Sequence, residues 1–490
     1  MKANSPNAIR WRRILFMSIG VILFAGVYFS PAWPDAVDPT GAHFALSREG
    51  KGALAVFLLA GIWWVFEVVP IGITSLVIGA AQALFLIRPA KEAFNDFMDP
   101  SVMFIFASIV IGMVFTKTGL TRRLAYKMLY IVGEKTSRIY LGCFVVTAAL
   151  THVMAHTAVA ATIFPLLVSI YELYSEDDEP TNFGKGLFIG MAYVAGAGSI
   201  ITLLGAARGA VAMGFFNQIV TKNITFFELT YFMAPVGWLM VIMLWLFFLV
   251  FLPPERKVIP GLRERAKRSY EEMGKLTRAE IMALIIVFSV ILLLSLRSFV
   301  AALEPYDKTA IIVVSTILFY VFGILSIQDL EEIPWNIILL FGGAMSIGFC
   351  LWETGAARWL AIQWLTLFQK AHWFIFVMSI SFFVMIMTNF IMNVAAIAIS
   401  LPVALVLAPY LGVAPEVIFY ASLVVAGMPF LLLVGAAPNA IAYTSNQFTP
   451  GEFFKYGIPA SIILMIVLGF TILVIWPLMG MPITIASGGG

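Results

Sequence analysis

The sequence predicts an all-α polytopic membrane protein of about eleven transmembrane spans, built from inverted repeats with two re-entrant hairpins and two interrupted helices. Three observations predict it. Hydrophobic residues make up 61% of the chain and charged residues only 12%, about half the charged share of soluble domains, and the mean hydropathy is +0.97. Apolar runs near the roughly 20 residues needed to cross a hydrocarbon core recur from end to end. Finally, one polar-then-small pattern is written twice: THVMAHTAVAATIFP at 151–165 aligns without a gap with TNFIMNVAAIAISLP at 388–402.

Spans fall at 13–31, 51–67, 70–87, 101–118, 184–222 (interrupted), 227–252, 280–302, 308–325, 336–353, 415–446 (interrupted) and 456–479. The stretches 138–173 and 373–409 are each long enough for two short helices but place polar and small residues at the middle. That pattern suits a hairpin that enters and leaves on one side, because non-helical backbone at membrane depth must be buried in protein or line a cavity. Positive residues crowd into Met1–Arg13, Lys117–Arg138 and Arg256–Arg278, the last holding eight Lys or Arg. Basic loops favour the cytoplasmic side, so the N-terminus is expected inside. LFMSIGVILFAGVYF lacks a nearby cleavage site and reads as a first span rather than a signal peptide. Cys143 and Cys350 are too few for a disulfide framework or a thiolate metal site.

The repeat extends beyond the hairpins. GMVFTKTGLTRRLA (112–125) matches GFCLWETGAARWLA (348–361), and LLGAARGA (203–210) matches LVGAAPNA (433–440). An odd number of crossings separates the starts of the two units, so the second is upside down relative to the first. Inverted repeats with interrupted helices are a signature of secondary transporters. The duplicated pattern then marks two halves of one site, each a hairpin tip (Ala155-His156-Thr157; Met392-Asn393-Val394) facing a helix break (Gly205–Gly209; Gly435–Asn439). Broken helices present unpaired N–H groups and positive dipole ends, which suit an anion.

Arg208 is the sharpest residue of the set, replaced in the second unit by Pro438. An arginine at the centre of a membrane helix costs about 2.5–3.5 kcal/mol on insertion scales, so it faces a cavity or a partner. Here it is either paired internally or binds a carboxylate, sulfonate or phosphate group. His152 and His156 share H-x-x-x-H spacing with zinc sites, yet the glutamate of HExxH and a third ligand are missing. His156 is read as a hydrogen-bonded hairpin residue, a ligand contact or a proton-linked switch, since imidazole titrates near neutrality.

With these elements placed, the chain resembles the divalent anion:sodium symporter (DASS) family over nearly its whole length. WWVFEVVPIGITSL (63–76), LLFGGAMSIGFCLWETGAARWLA (339–361) and the loop LPPERKVIPGLRERAKRSYEEMGKLTRAE carry the resemblance. It implies a homodimer moving by an elevator-like mechanism. Residues 1–137 and 280–372 would form the scaffold, 138–254 and 373–490 the transport domain, and 255–279 a cytoplasmic loop. It further implies ion-coupling residues Thr151, Ala155 and His156 at the first tip and Thr388, Met392 and Asn393 at the second. Substrate contacts would come from His156, Thr157, Arg208, Asn393, Val394, Pro438 and Asn439. Family members carry Ser-Asn-Thr at both tips; here Ala155 and Met392 supply no hydroxyl where the serines stand. Hard cations prefer oxygen ligands, so the departure points away from sodium and toward proton coupling or anion exchange.

The sequence therefore predicts a secondary active transporter of a small anion in the plasma membrane (the inner membrane in a bacterium). It is expected to be no enzyme and to need no cofactor, metal or nucleic-acid partner. The unlike tips suggest an anion with one charged end and one weakly polar or apolar end. A transporter-like receptor or partner subunit without transport activity is the rival reading. A membrane-embedded hydrolase has neither a Ser/His/Asp spacing nor a metal-ligand cluster to support it.

Overall fold

Two copies of one helix order, preceded by a single helix at Pro6–Tyr28, make up the chain. The computed structural model describes residues 6–37, 41–175, 179–220, 222–368 and 372–485. Each copy begins with a helix pair, Arg48–Val65 with Ile71–Leu84 and Arg278–Leu296 with Lys308–Val321. A longer helix follows, Pro100–Thr118 and Trp335–Glu353, then a shorter one, Leu120–Val132 and Ala356–Phe368. Next comes a hairpin, Thr136–Leu150 with His156–Tyr174 and Trp373–Phe390 with Asn393–Tyr410. A broken helix, Asn182–Gly198 with Ala207–Val220 and Pro415–Ala426 with Ala437–Tyr443, leads to the last span, Phe226–Phe251 and Pro450–Phe470. Among the described residues eight helices are long and apolar enough to cross a membrane, and further apolar helices are shorter. The two hairpins expected from the sequence are therefore present as paired helices, not straight spans.

The helix starts are written in the sequence. Thr225 with Glu228, Thr277 with Glu280 and Thr449 with Glu452 form capping boxes, satisfying N–H groups that have no intrahelical acceptor. Asp99 caps the helix that opens with Pro100, where a proline loses no hydrogen bond. Gly119 (φ +84°) and Gly355 (φ +76°) end the long helices in the left-handed conformation, which glycine adopts without the Cβ clash.

Those two glycines turn the chain into helices where the sequence reads as a basic loop (117–138) or as a stretch between spans (354–372). In the first, Leu120, Ala125, Met128 and Leu129 share a buried face. This helical stripe is obscured by Arg122, Arg123 and Lys127 between its members. Arg123 turns inward, Nε donating to Glu280 Oε1 at 2.8 Å and Nη1 to Gly274 O at 2.7 Å. The second such helix is held by Trp359, whose Nε1 donates to Pro34 O at 3.2 Å, and by Arg358 over the Phe44 ring at 4.0 Å. Each of these helices is thus tied to the segment just before the helix pair of the opposite repeat.

Glu255, in the loop after Phe226–Phe251, fixes the start of the first broken helix. Its Oε1 accepts from Asn182 N–H at 2.6 Å, and its Oε2 accepts from Tyr174 Oη at 2.8 Å and Phe183 N–H at 3.3 Å. Partial burial pushes this carboxyl up, but the bonds from Asn182, Tyr174 and Phe183 outweigh it and hold the group below its ordinary range. A carboxylate depressed in the folded state stabilises above its unfolded pKa and loses that contribution as pH falls through its folded pKa. Glu255→Gln is therefore expected to lower the melting temperature at pH 7. The gap to wild type should close as pH drops below about 4.3; a gap that widens on acidification would contradict the assignment.

Candidate functional site

At the first hairpin tip the helix ends at Leu150 and restarts at His156. The His156 backbone N–H donates to Gly205 O at 3.1 Å, and its ring Nδ1 lies 3.3 Å from the same oxygen. Thr202 Oγ1 donates to His152 O at 2.7 Å, a second stitch between tip and break. Gly205 has no space for a side chain: a Cβ there would sit 2.3 Å from Thr151 O and 2.8 Å from the Ser199 Cα. Thr151 is buried and donates to Ala148 O at 2.6 Å. Ala155 and Thr157 lie partly exposed beside it. The His152 ring packs edge-on to Trp238 with neither nitrogen bonded.

The second tip repeats this geometry with different chemistry. Thr388 Oγ1 donates to Ala426 O at 2.9 Å. The Asn393 amide is oriented by its surroundings, since its oxygen would otherwise face two carbonyls. With nitrogen inward it donates to Thr388 Oγ1 at 2.9 Å, Gly435 O at 3.0 Å and Ala426 O at 3.3 Å. Asn389 Oδ1 accepts from Leu431 N–H at 2.7 Å, and Asn439 Nδ2 donates to Pro429 O at 2.8 Å and Leu432 O at 3.1 Å. Met392 is partly exposed and Val394 buried, and neither forms a hydrogen bond through its side chain.

The breaks lie earlier than the sequence suggested. The unwound segments are 199–206 and 427–436, so Arg208, Pro438 and Asn439 stand in the first turn of the resumed helices, not inside the breaks. Pro438 suits that place because its fixed φ is helical and its missing N–H would be unpaired there anyway.

Arg208 joins the two halves. It is 2% exposed, its Nη2 donates to Ser199 Oγ at 2.8 Å, and it presses on Gly427, where a Cβ would be 2.5 Å from that nitrogen. Gly196 packs on Gly427 O, and Lys222 Nζ reaches Glu416 Oε1 at 2.6 Å, so the two broken helices are also fastened to each other. Ser199 and Gly427 were not picked out from the sequence. Among the described residues no carboxylate stands within ion-pair distance of Arg208. The helices starting at His156 and Asn393 begin at the two tips, and the one starting at Ala207 begins one residue before Arg208. Among the described residues, Arg208 is thus a buried cation without an acidic partner. The cavity beside Arg208, lined by Ser199, Thr202, Ala206, Leu229 and Leu423, measures about 10 Å³, room for a single water. Among the described residues no cluster of three His, Cys, Asp or Glu could hold a metal.

Duplicated helix order, hairpins abutting broken helices and a buried cation at their junction are features of a multi-pass membrane protein of the secondary-transporter class. The chain belongs to the divalent anion:sodium symporter family: residues 13–482 match the family described as the sodium:sulfate symporter transmembrane region. The sodium-dependent dicarboxylate transporter SdcS of Staphylococcus saprophyticus is 23% identical over 90% of this chain and 89% of its own. That of Staphylococcus aureus strain RF122 is 24% identical over 88% and 87%. Two solved structures, each 13% identical, share the fold. Neisseria gonorrhoeae MtrF, described within a class of antimetabolite efflux pumps, has a TM-score of 0.55 over 94% of this chain and 93% of its own. The Alcanivorax borkumensis YdaH transporter has a TM-score of 0.50 over 97% and 98%.

Proposed function

We propose that this protein carries a small anion across the membrane by elevator-like alternating access, with Arg208 as the group that binds it. The observation that supports this reading is a guanidinium buried to 2% exposure with no carboxylate among the described residues to neutralise it. With room for only one water, the cavity beside it is too small for an anion in the described conformation. An anion would enter when the tips part from the breaks, loosening the contacts of His156 with Gly205 and of Thr388 with Ala426. In this reading residues 138–254 and 373–490 move as a unit against 1–137 and 280–372, within a homodimer. The N-terminus and the 255–279 loop lie in the cytoplasm of a cell whose plasma membrane holds the protein.

The Staphylococcus relatives are named for sodium dependence; this chain is proposed to couple to a proton or a counter-anion. At the first tip Ala155 offers no side-chain oxygen, and the His156 imidazole Nδ1 lies 3.3 Å from the Gly205 carbonyl oxygen. At the second, Met392 offers only a thioether where a hard ion prefers oxygen, and the Asn393 amide nitrogen faces the oxygens of Thr388, Ala426 and Gly435. In proteoliposomes, uptake is expected to persist when sodium is replaced by potassium or choline. With proton coupling through His156, it should also rise as external pH falls from about 7.5 to 6, and His156→Asn should flatten that rise. Steep, strict sodium dependence would overturn the coupling assignment.

A further inference from the structure

The inference below rests on the anion-site reading just given. We infer that the substrate carries a single negative charge at one end and a short apolar body at the other, a monocarboxylate or sulfonate rather than a dianion.

The two halves share a backbone plan but not a supply of free polar groups. In the first half, Arg208 spends one of its guanidinium N–H groups on Ser199, and the only bonds described for it leave the rest of the fork uncommitted. Among the described residues, Thr157 has no hydrogen bond through its hydroxyl, and the ring of His156 is engaged only at Nδ1. The free part of the guanidinium, beside the cavity lined by Ser199 and Thr202, is available to one anionic head.

The second half offers no counterpart. Its tip, 388–394, and its break and first turn, 427–439, contain no Lys, Arg or His. Val394 stands where the first half has Thr157, and Pro438, lacking both charge and N–H, stands where it has Arg208. The amides that remain are committed to the fold. Asn389 holds the N–H groups of Leu431 and Leu432, Asn439 bonds Pro429 O and Leu432 O, and Asn393 bonds the Thr388 hydroxyl and two carbonyls. A second carboxylate at this end would give up its water for a buried valine and a proline, with no side-chain cation or free amide to replace it. An alkyl group loses nothing there.

The test compares butyrate, butanesulfonate, succinate and sulfate as ligands of the purified full-length protein at pH 7.5, by thermal shift and by competition with labelled uptake into proteoliposomes. Butyrate or butanesulfonate is expected to half-saturate at a concentration at least tenfold below succinate and sulfate. A Val394→Thr, Pro438→Arg double variant, which gives the second half the groups of the first, should narrow that ratio at least tenfold. If the variant does not fold, the wild-type comparison decides alone. Equal or tighter binding of succinate or sulfate, lost in Arg208→Ala, would overturn this inference and leave the anion site standing. No shift with any anion would overturn both.

Discussion

Arg208→Ala is expected to abolish anion binding and uptake while the protein stays folded. Removing one partner from a buried, hydrogen-bonded charge pair costs about 2–5 kcal/mol, which is a loss of roughly 30- to several-thousand-fold in affinity. Without ligand the same substitution removes an unneutralised cation from a buried place, a group that is costly to hold there. The unliganded variant should therefore melt within a few degrees of wild type. Arg208→Lys should restore little, because an ammonium lacks the planar fork that can hold Ser199 and an anion together. Unchanged affinity in a folded Arg208→Ala protein would assign the residue to structure alone. A collapse in stability without ligand would do the same, since it would mean that the contacts with Ser199 and Gly427 hold the two breaks in place.

Gly205→Ala is the second substitution with a large expected effect. The added methyl would meet backbone, Thr151 O at 2.3 Å and the Ser199 Cα at 2.8 Å, which cannot rotate aside as a side-chain tip does. Overpacking a tight interior costs about 1–3 kcal/mol, and here the movement falls on the His156–Gly205 contact that registers tip against break. Uptake should fall at least tenfold with a lowered melting temperature. Gly209→Ala, four residues on, is the matched control: its methyl would meet only the flexible Leu203 Cδ2, at 3.1 Å, and transport should stay within about twofold. Equal effects from the two substitutions would contradict the close tip-to-break packing.

The contrast between those glycines shows what the sequence could and could not display. The spans were legible because apolar runs of membrane length are hard to disguise in a chain with so few charges. The hairpins and the pairing of the halves were legible because Thr151 and Thr388, and Gly205 and Gly435, recur in the same order. The helices at Leu120–Val132 and Ala356–Phe368 were not, since Arg122 and Lys127 interrupt the apolar stripe of the first. The break positions were displaced because glycine and proline mark where a helix resumes as readily as where it stops. That shift matters for Arg208, which belongs to a helix N-terminus rather than to unwound chain. Its neighbour Gly427 lies more than two hundred residues away in sequence, and no local pattern connects them. In the sequence, the case against sodium at the first position rests on Ala155 and on the nitrogen that His156 offers in place of an oxygen. The bond between His156 and Gly205, which gives that case a physical form, is visible only in three dimensions.

Tracer counterflow tests most directly whether the buried arginine serves transport and not merely binding, with proteoliposomes preloaded with unlabelled butyrate and diluted into labelled butyrate. The expected result is transient accumulation of label above equilibrium, saturable and absent in Arg208→Ala. Butyrate that stabilises the purified protein in an Arg208-dependent way, yet never accumulates in the vesicles, would contradict a role in transport and make the protein a receptor built on a transporter's fold.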